Sequence, residues 1–263
     1  STKPEPVNMK RRHTISAFVI TNNEADRIED CLSSLSGWVD QLVVLDSNSD
    51  DNTAELARIY TEEVYVTDWP GYSSQRIRAL KKCSNDWVLT IDADEQLTQE
   101  LRDEIDTFLS QEEIGYNLFK FPLQTSLFGK FLKYGRYSSP QKRLFLKKDG
   151  YYKNKKVHEN VNVVDPKIKL LKSPLIHNAW RNYYHLQEKH LKYAVLSAEE
   201  KYEQGKTTTL SYTVLRLFTD FLQQYIFRLG FLDGWRGFLM AIVLAQYAFN
   251  KYASLLSMNK HGY

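Results

Sequence analysis

The sequence predicts an α/β fold in which helices flank a mostly parallel β-sheet and an amphipathic helical hairpin follows at the C-terminal end. Three observations predict it. Short β-branched runs alternate with helical patterns through the first half of the chain, as in parallel sheets covered on both faces. A chain of 263 residues, of which 43% are hydrophobic, can bury a sizeable core without disulfides. Two apolar helical stretches, separated by a glycine-containing break, lie towards the end of the chain.

The first half contains four predicted strands in alternation with four predicted helices. The strands span residues 15–20, 41–46, 64–66 and 87–91, and the helices span residues 25–35, 53–60, 72–83 and 101–109. Asn22 or Asn23 is available as the N-cap of the first helix. Because ligands of such sheets bind beyond the carboxyl ends of the strands, the polar loops after the first, second and fourth strands should share one cleft.

From about Gly115 the pattern changes to scattered strand-like runs and then to helices. The strand-like runs are residues 116–121, 143–147 and 157–163, and a polar-aromatic helix covers residues 181–202. They should extend the sheet and build a second side of the cleft.

The C-terminal tail is apolar in two helical runs. A stripe from Leu215 to Leu229 precedes a break at residues 230–234, and a second apolar run covers residues 238–249. The second run is too short to span a bilayer, which needs about 20 residues. With its Trp, Tyr and cationic flanks, the tail suits a membrane interface. A hairpin packed on the core, or a homodimer contact, is the alternative.

Charge is divided unevenly along the chain, whose formal net charge is +3. Residues 1–120 carry a net charge of −11, and the remaining residues carry +14. An acidic half can house a metal site, whereas a basic half favours a phosphorylated substrate, a membrane surface or a nucleic acid. Two solvated faces without partners are the alternative.

Cysteine usage and the N-terminal sequence bear on the compartment. Cys31 and Cys83 are far apart and form no CxxC pair, which argues against a cysteine zinc site. No apolar signal-peptide core follows the N-terminus, so we expect the protein in a reducing cytoplasm.

The strongest chemical signal is the acidic run Asp92-Ala93-Asp94-Glu95 at the end of a predicted buried strand. Three carboxylates within four residues repel one another, which predicts a cation at this point. Oxygen ligands on a loop suit Mg²⁺ or Mn²⁺ and leave positions open to phosphate oxygens. A solvated turn is the alternative.

Two polar loops are expected at the same sheet edge. One reads Asp46-Ser47-Asn48-Ser49-Asp50-Asp51-Asn52-Thr53 after the second strand, and the other reads Thr21-Asn22-Asn23-Glu24 after the first. Such side chains can bind a nucleobase or ribose, although Asx-turns and helix starts use the same residues. No glycine-rich phosphate loop is present, so neither a P-loop nor a dinucleotide fingerprint fits.

These motifs, together with Gln75-Arg76 on the third helix, resemble in order and spacing the pattern of glycosyltransferase family 2, over residues 14–115. Three later features look like the branch of that family with the lipopolysaccharide core β-glucosyltransferases. They are Lys156-Val157-His158-Glu159, Ile176-His177 and Asp233-Gly234 with Gly237-Phe238. Ile77 departs from the pattern, because many members have Asn after the arginine.

The resemblance implies an inverting GT-A fold, Rossmann-like, that binds a nucleotide-sugar donor, with UDP-hexose expected. It implies that Asp94 binds the metal and that Asp92 lies near the ribose or an outer metal shell, with His177 in the metal shell or near the diphosphate. The donor residues that it implies are Thr21, Asn23, Glu24, Asp46, Ser49, Gln75 and Arg76.

Inversion by direct displacement also needs a general base. Between residues 114 and 187 the acidic residues are Asp149, Glu159 and Asp165, of which the first and last lie in turn dipeptides. Glu159 is therefore our expected base and His158 the second choice. The alternative is that Glu159 only pairs with a nearby lysine.

A basic, aromatic segment predicts the acceptor side. Cationic residues cluster between residues 142 and 156, and the expected acceptor ligands are Lys142, Arg143, Lys155 and Lys156. Basic groups beside aromatic rings suit a phosphorylated sugar on a lipid anchor. They would also suit single-stranded nucleic acid, but no RNA-binding signature is present. A solvated lysine loop is the remaining alternative.

We therefore expect four segments: an N-terminal arm at 1–13, a nucleotide-sugar-binding half at 14–115, an acceptor-side half at 116–208 and a membrane-associating helical segment at 209–263. The expected activity is transfer of a hexose, from UDP-glucose, to an anionic glycolipid such as a lipopolysaccharide inner core, on the cytoplasmic face of the inner membrane. The alternatives are a protein, peptide or other cell-surface polysaccharide glycosyltransferase, and a non-catalytic membrane-binding module. No nucleic-acid partner is expected.

Overall fold

A computed structural model describes residues 11–153 and 160–262. Its strands are β1 (Ile15–Thr21), β2 (Gln41–Asp46), β3 (Val64–Val66), β4 (Trp87–Asp92), β5 (Glu95–Leu97), β6 (Leu118–Phe121), β7 (Leu123–Leu127), β8 (Lys130–Leu132), β9 (Gln141–Leu146), β10 (Gly150–Tyr151), β11 (Asn162–Val163), β12 (Ile168–Leu170) and β13 (Leu175–His177). Its α-helices are α1 (Ile28–Ser33), α2 (Thr53–Ala57), α3 (Tyr72–Lys82), α4 (Gln99–Leu109), α5 (Tyr183–Glu203), α6 (Leu210–Leu222) and α7 (Gly234–His261).

A seven-stranded sheet in the order β12-β6-β9-β4-β1-β2-β3 organises the chain. Strands β1 to β4 pair in parallel, while β9 is inserted antiparallel between β4 and β6. The predicted mixed segment thus extends the same sheet. A second sheet has the order β5-β13-β7-β8. Its strand β5 follows β4 directly, and its strands β7 and β8 pack against α5 and α7.

Both faces of the main sheet are covered, which explains why its strands are continuous apolar runs. Every residue of β1 is buried. On one face Val19 packs in a core with Leu32 of α1 and Ile105 of α4. On the other face Phe18 packs in a second core with Ala79 of α3.

The predicted cap of the first helix is wrong. Helix α1 begins at Ile28, and its N-cap residue Arg27 makes no side-chain cap hydrogen bond. The Asn22 side chain instead donates to the carbonyl of Ser47, and Asn23 accepts from the backbone N–H of Asp50. Both asparagines therefore tie the loop after β1 to the loop after β2.

The two C-terminal helices pack against each other, as predicted, but in different environments. Helix α7 buries Met240, Val243 and Leu244 against β7, β8 and α5. Helix α6 lies outside it and leaves Leu215, Phe218 and Leu222 about half exposed, at 54%, 60% and 47%. Within the described ranges, no helix combines the length and apolarity that a membrane crossing requires.

Candidate active site

A cavity of about 720 Å³ lies beyond the carboxyl ends of β1 and β4. Its lining includes residues from the predicted loops, from α3 and from α5. Seven of the predicted site residues line it together: Thr21, Glu24, Arg76, Asp92, Asp94, Arg143 and His177. The expectation of a shared cleft is thus met for the loops after the first and fourth strands.

Two arginines hold the carboxylate of Asp92. Arg76 Nη2 donates to Asp92 Oδ1 at 2.6 Å, and Arg143 Nη2 donates to Oδ2 at 2.9 Å. Burial alone would raise the pKa of Asp92, but these two guanidinium groups reverse the effect and hold its pKa below the usual range. Asp92 is therefore an ionised, fixed acceptor at the floor of the cavity.

Glu95 is the most deeply buried member of the acidic run, at 1% exposed. It forms an ion pair with Arg143 and accepts a hydrogen bond from the backbone N–H of Asp92 at 3.0 Å. Burial raises its pKa, against the opposing field of Arg143. Breaking a buried ion pair of this kind costs about 3–5 kcal/mol, so Arg143 fixes the shape of the acidic turn.

The position of Arg143 bears on two expectations. We expected it among the acceptor ligands of the basic segment, but only 8% of the residue is exposed and its guanidinium is engaged by Asp92 and Glu95. We also expected a bound cation to relieve the repulsion within the acidic run. For Asp92 and Glu95 the chain's own arginines supply that charge.

Asp94 is different, because it faces the cavity with two weaker partners. Its Oδ2 lies 3.2 Å from Lys189 Nζ and 3.6 Å from His177 Nε2. Burial would raise the pKa of Asp94, but Lys189 and His177 hold it well below the usual range. Among the three carboxylates of the acidic run, Asp94 is thus the one that no arginine of the described chain contacts.

The pair Asp94–His177 fits a metal that is shared with a substrate. Within residues 11–153 and 160–262, no cluster of three or more His, Cys, Asp or Glu side chains could hold a metal alone. Mg²⁺ usually keeps several waters and takes one or two protein ligands plus phosphate oxygens. An oxygen and a nitrogen 3.6 Å apart can supply those protein ligands.

The other predicted donor residues organise the loops rather than line the cavity. Ser49 donates its N–H and hydroxyl to Asp46 at 2.9 and 2.5 Å, and accepts from the N–H of Asn23. Gln75, fully buried, donates to Ser47 Oγ at 2.8 Å and to Thr67 Oγ1 at 3.0 Å. These bonds fix the ends of β2 and β3 beside the cavity.

Two predicted residues lie at the rim beside β1. The buried hydroxyl of Thr21 has no hydrogen-bond partner in the described part of the chain. Glu24 accepts from Arg27 at 2.5 Å and from Arg181 at 3.0 Å. Thr21 therefore keeps an unused hydroxyl beside the cavity, while Glu24 anchors the start of α5 to this rim.

The predicted acceptor segment is only partly described. Lys142 is half-buried, with its Nζ 3.4 Å from the carbonyl of Val161, and burial lowers its pKa. Lys155, Lys156, His158 and Glu159 lie outside the described residues. Asn160, which directly follows them, lines the cavity.

Helix α5 supplies cavity residues that the sequence analysis missed. They are His185, Glu188, Lys189, Lys192 and Tyr193, which share one helix face and line the cavity. Their i, i+4 spacing within the polar-aromatic helix was the available signal, since a helix packed on a core otherwise carries apolar residues there.

The central sheet, its inserted antiparallel strand and the acidic turn at the end of β4 define a glycosyltransferase of the GT-A fold. The family model "Glycosyl transferase family 2" matches residues 16–171, more than half of the chain. The chain therefore belongs to glycosyltransferase family 2.

Relatives extend this similarity over most of the chain. An uncharacterised glycosyltransferase of Rickettsia typhi is 33% identical over 261 residues, which cover 93% of this chain and 87% of the relative. The lipopolysaccharide core biosynthesis glycosyltransferase LpsC of Rhizobium meliloti is 31% identical over 251 residues, 89% of each chain. A solved structure of Mycobacterium tuberculosis glucosyl-3-phosphoglycerate synthase with Mn²⁺, UDP and phosphoglyceric acid is 30% identical over 43% of this chain and 44% of that one, with a TM-score of 0.37.

Proposed function

We propose that this enzyme transfers a hexose, from UDP-glucose, to an anionic glycolipid such as a lipopolysaccharide inner core. The observation that carries the proposal is the cavity at the strand ends, which Asp94 lines together with the cations Arg27, Lys189 and Lys192. The Rhizobium meliloti relative, a lipopolysaccharide core biosynthesis glycosyltransferase, supports the choice of acceptor class.

The cavity has the charges that a sugar nucleotide diphosphate requires. Arg27, Lys189 and Lys192 line the side formed by α1 and α5, and Lys192 has no ion-pair partner among the described residues. Such cations can meet phosphate oxygens, and the unpartnered Thr21 hydroxyl can bind the nucleoside. When bound, Mg²⁺ or Mn²⁺ at Asp94 and His177 would neutralise the diphosphate leaving group.

The chain's own residues then have distinct roles. Arg76 and Arg143 hold Asp92 in place for the ribose. Direct displacement requires a base that takes the proton of the acceptor hydroxyl as its oxygen attacks the anomeric carbon and the bond to the diphosphate breaks. We assign this role to Glu159, with His158 as the second choice, because the neighbouring Asn160 lines the cavity.

The donor proposal predicts metal-dependent stabilisation by UDP. A ligand at 100 times its dissociation constant adds about 2.7 kcal/mol, which for a chain of this size raises the melting temperature by roughly 5–10 °C. We expect this shift with UDP plus Mn²⁺ and a much smaller one with either alone. Thermal melting with UDP, GDP, CDP and ADP measures it. A shift with another diphosphate alone would change the donor class, and no shift with any of them would contradict the proposal.

We further propose that the C-terminal helices place the enzyme on the cytoplasmic face of the inner membrane. Helix α6 has the opposite orientation to a usual surface helix, which turns its apolar face to the core and its polar face outward. Its Arg216–Asp220 ion pair, at 2.6 Å, faces α7 over the ring of Tyr252, whereas its apolar side chains face outward. Such an arrangement requires a partner for the apolar face.

The β7–β8 hairpin belongs to the same apolar face. Phe128 stacks on Trp235 with ring centroids 5.9 Å apart, and Arg236 donates to the carbonyls of Leu127 and Phe128. The exposed apolar residues of this face include Phe128, Phe131, Leu215, Phe218, Leu222, Phe227, Leu229, Phe231, Leu232 and Trp235. Lys130, Lys133 and Arg228 lie among them, which favours an anionic lipid surface.

This membrane face predicts a selective loss of vesicle binding. Phe218→Ser with Phe227→Ser removes two side chains that are 60% and 79% exposed, so folding should persist. We expect co-sedimentation with anionic vesicles to fall at least about tenfold, because each buried aromatic side chain contributes about 1.5–3 kcal/mol. Ile59→Ser, at a site 70% exposed on another surface, is the matched control. If the double variant still sediments but a dimer dissociates, the face is an interface between copies of the chain.

A further inference from the structure

A second cavity, of about 220 Å³, adjoins the cavity of about 720 Å³ at the strand ends, which is called the donor cavity below. The two share His177, Lys189 and Tyr193 as lining residues. His177 and Lys189 are also the partners of Asp94. A group bound in the second cavity would therefore be separated by a single side chain from the place where we expect the donor's diphosphate.

The walls of this second cavity are aromatic and fixed. Tyr137 meets Trp180 edge to face, with ring centroids 4.8 Å apart, and Tyr247 lines the C-terminal side. The Tyr137 hydroxyl lies 2.5 Å from His190 Nε2, while His190 Nδ1 lies 2.7 Å from the carbonyl of Leu186. Since a carbonyl only accepts, Nδ1 carries the proton and Nε2 accepts from Tyr137.

His190 adds no charge to this cavity at neutral pH. Burial lowers its pKa to about 4. The neutral ring and its two hydrogen bonds instead lock Tyr137 against Trp180. The result is a set of rigid aromatic faces, the kind of wall on which the apolar face of a sugar ring packs.

The full charges at this cavity are positive. Among the described lining residues there is no carboxylate, and the cations are Arg136 and Lys189. Arg136 stands at the mouth with its guanidinium carbon 5.9 Å from the centroid of Tyr247, and no carboxylate of the described chain forms an ion pair with it. Its backbone N–H donates to Gln224 Oε1 at 3.0 Å, which fixes the residue to the C-terminal helices.

We propose that this second cavity binds one acidic sugar residue of the acceptor, a pyranose that carries a carboxylate or a phosphate. Arg136 binds the anionic group in the bidentate manner of a guanidinium, and the rings of Tyr137, Trp180 and Tyr247 pack on the sugar. The volume, smaller than the roughly 300–1,000 Å³ of sites for drug-sized ligands, suits a single ring.

The inference rests on the proposed transfer to an anionic glycolipid and refines it. It moves the recognition of the acceptor's charge from the basic segment at residues 142–156 to the junction of the donor cavity with the C-terminal helices. A lipid-anchored acceptor would then reach the reacting centre directly from the membrane face.

Saturation-transfer NMR on the intact protein tests the subsite with glucuronate and glucose 6-phosphate as acidic probes and glucose as the neutral one. We expect a saturation-transfer signal for at least one acidic probe. Glucose should bind at least about tenfold more weakly, because a hydrogen bond to a charged group is worth at least about tenfold in affinity. Arg136→Gln should abolish the preference. Arg58→Gln, which changes an exposed arginine on another surface, is the matched control and should not.

The outcomes separate this inference from the proposed function. An acidic preference that survives Arg136→Gln overturns the subsite, and so does the absence of binding by either acidic probe when UDP still binds with Mn²⁺. Loss of the preference in Arg136→Gln with unchanged UDP binding supports it. Acidic-probe binding in a protein that binds no UDP would overturn the donor proposal but support the subsite.

Discussion

Asp94→Ala is expected to abolish metal-dependent binding of UDP and, with it, transfer. Asp94 faces the cavity, and its partners within the described residues are only Lys189 and His177, whereas Asp92 and Glu95 are committed to arginines. Removal of outer-shell partners of a metal costs about 10–100-fold in affinity or activity, so loss of a direct ligand should cost at least about 100-fold. Calorimetric titration of UDP in the presence of Mn²⁺ measures the effect.

Two controls make that result specific. Asp94→Asn keeps an oxygen that can accept from Lys189, so the fold should persist while the charge on the metal ligand is lost. Asp103→Ala removes an exposed aspartate of α4 whose carboxylate accepts a hydrogen bond from Gln99, and this variant should bind UDP normally. Unchanged UDP affinity in both Asp94 variants would remove Asp94 from the donor site.

The part of the fold that follows from local patterns could be predicted from the sequence. The strands β1, β2 and β4 are buried on both faces, so their continuous apolar runs identify them without knowledge of their neighbours. The carboxyl ends of β1 and β4 then meet at one edge by the geometry of a parallel sheet. That is why the sequence alone predicts that Thr21, Asp92 and Asp94 lie together.

The charge pairing inside the site could not be predicted in the same way. Arg143 reaches Asp92 and Glu95 only because β9 runs antiparallel beside β4, with Leu89 opposite Leu144. Lys189 reaches Asp94 across 95 residues of chain. Such contacts depend on register and on helix docking, which a window of sequence does not contain.

The orientation of α6 is a third case. Its sequence shows an apolar stripe opposite a polar one, and such a pattern normally predicts that the apolar stripe faces the core. Here the packing of Arg216 on Tyr252 and its ion pair with Asp220 turn the polar stripe inward. The pattern identified the helix and its two faces, but not which face the rest of the chain would cover.

Glu159→Gln is expected to lower turnover by about 10²–10⁴-fold while UDP affinity stays unchanged. This is the range for loss of a positioned general base, and the amide keeps the size of the side chain without its ability to take a proton. Single-turnover kinetics with a saturating donor separate this effect from binding. Near-normal turnover would assign the proton transfer to another residue.

The turnover of a Glu188→Gln variant, compared with that of Glu159→Gln, shows whether catalysis needs one positioned base or only negative charge in the cleft. Glu188 lines the same cavity from α5, is exposed, and forms no hydrogen bond or ion pair that would hold it in place within the described chain. A base must be held within hydrogen-bond reach of the acceptor hydroxyl, so a mobile carboxylate at the rim is poorly suited to the role. We therefore expect Glu188→Gln to change turnover by less than about tenfold. If Glu188→Gln causes the large loss and Glu159→Gln does not, the base lies on α5, and the acceptor must approach from the side of Lys192 rather than from that of Asn160.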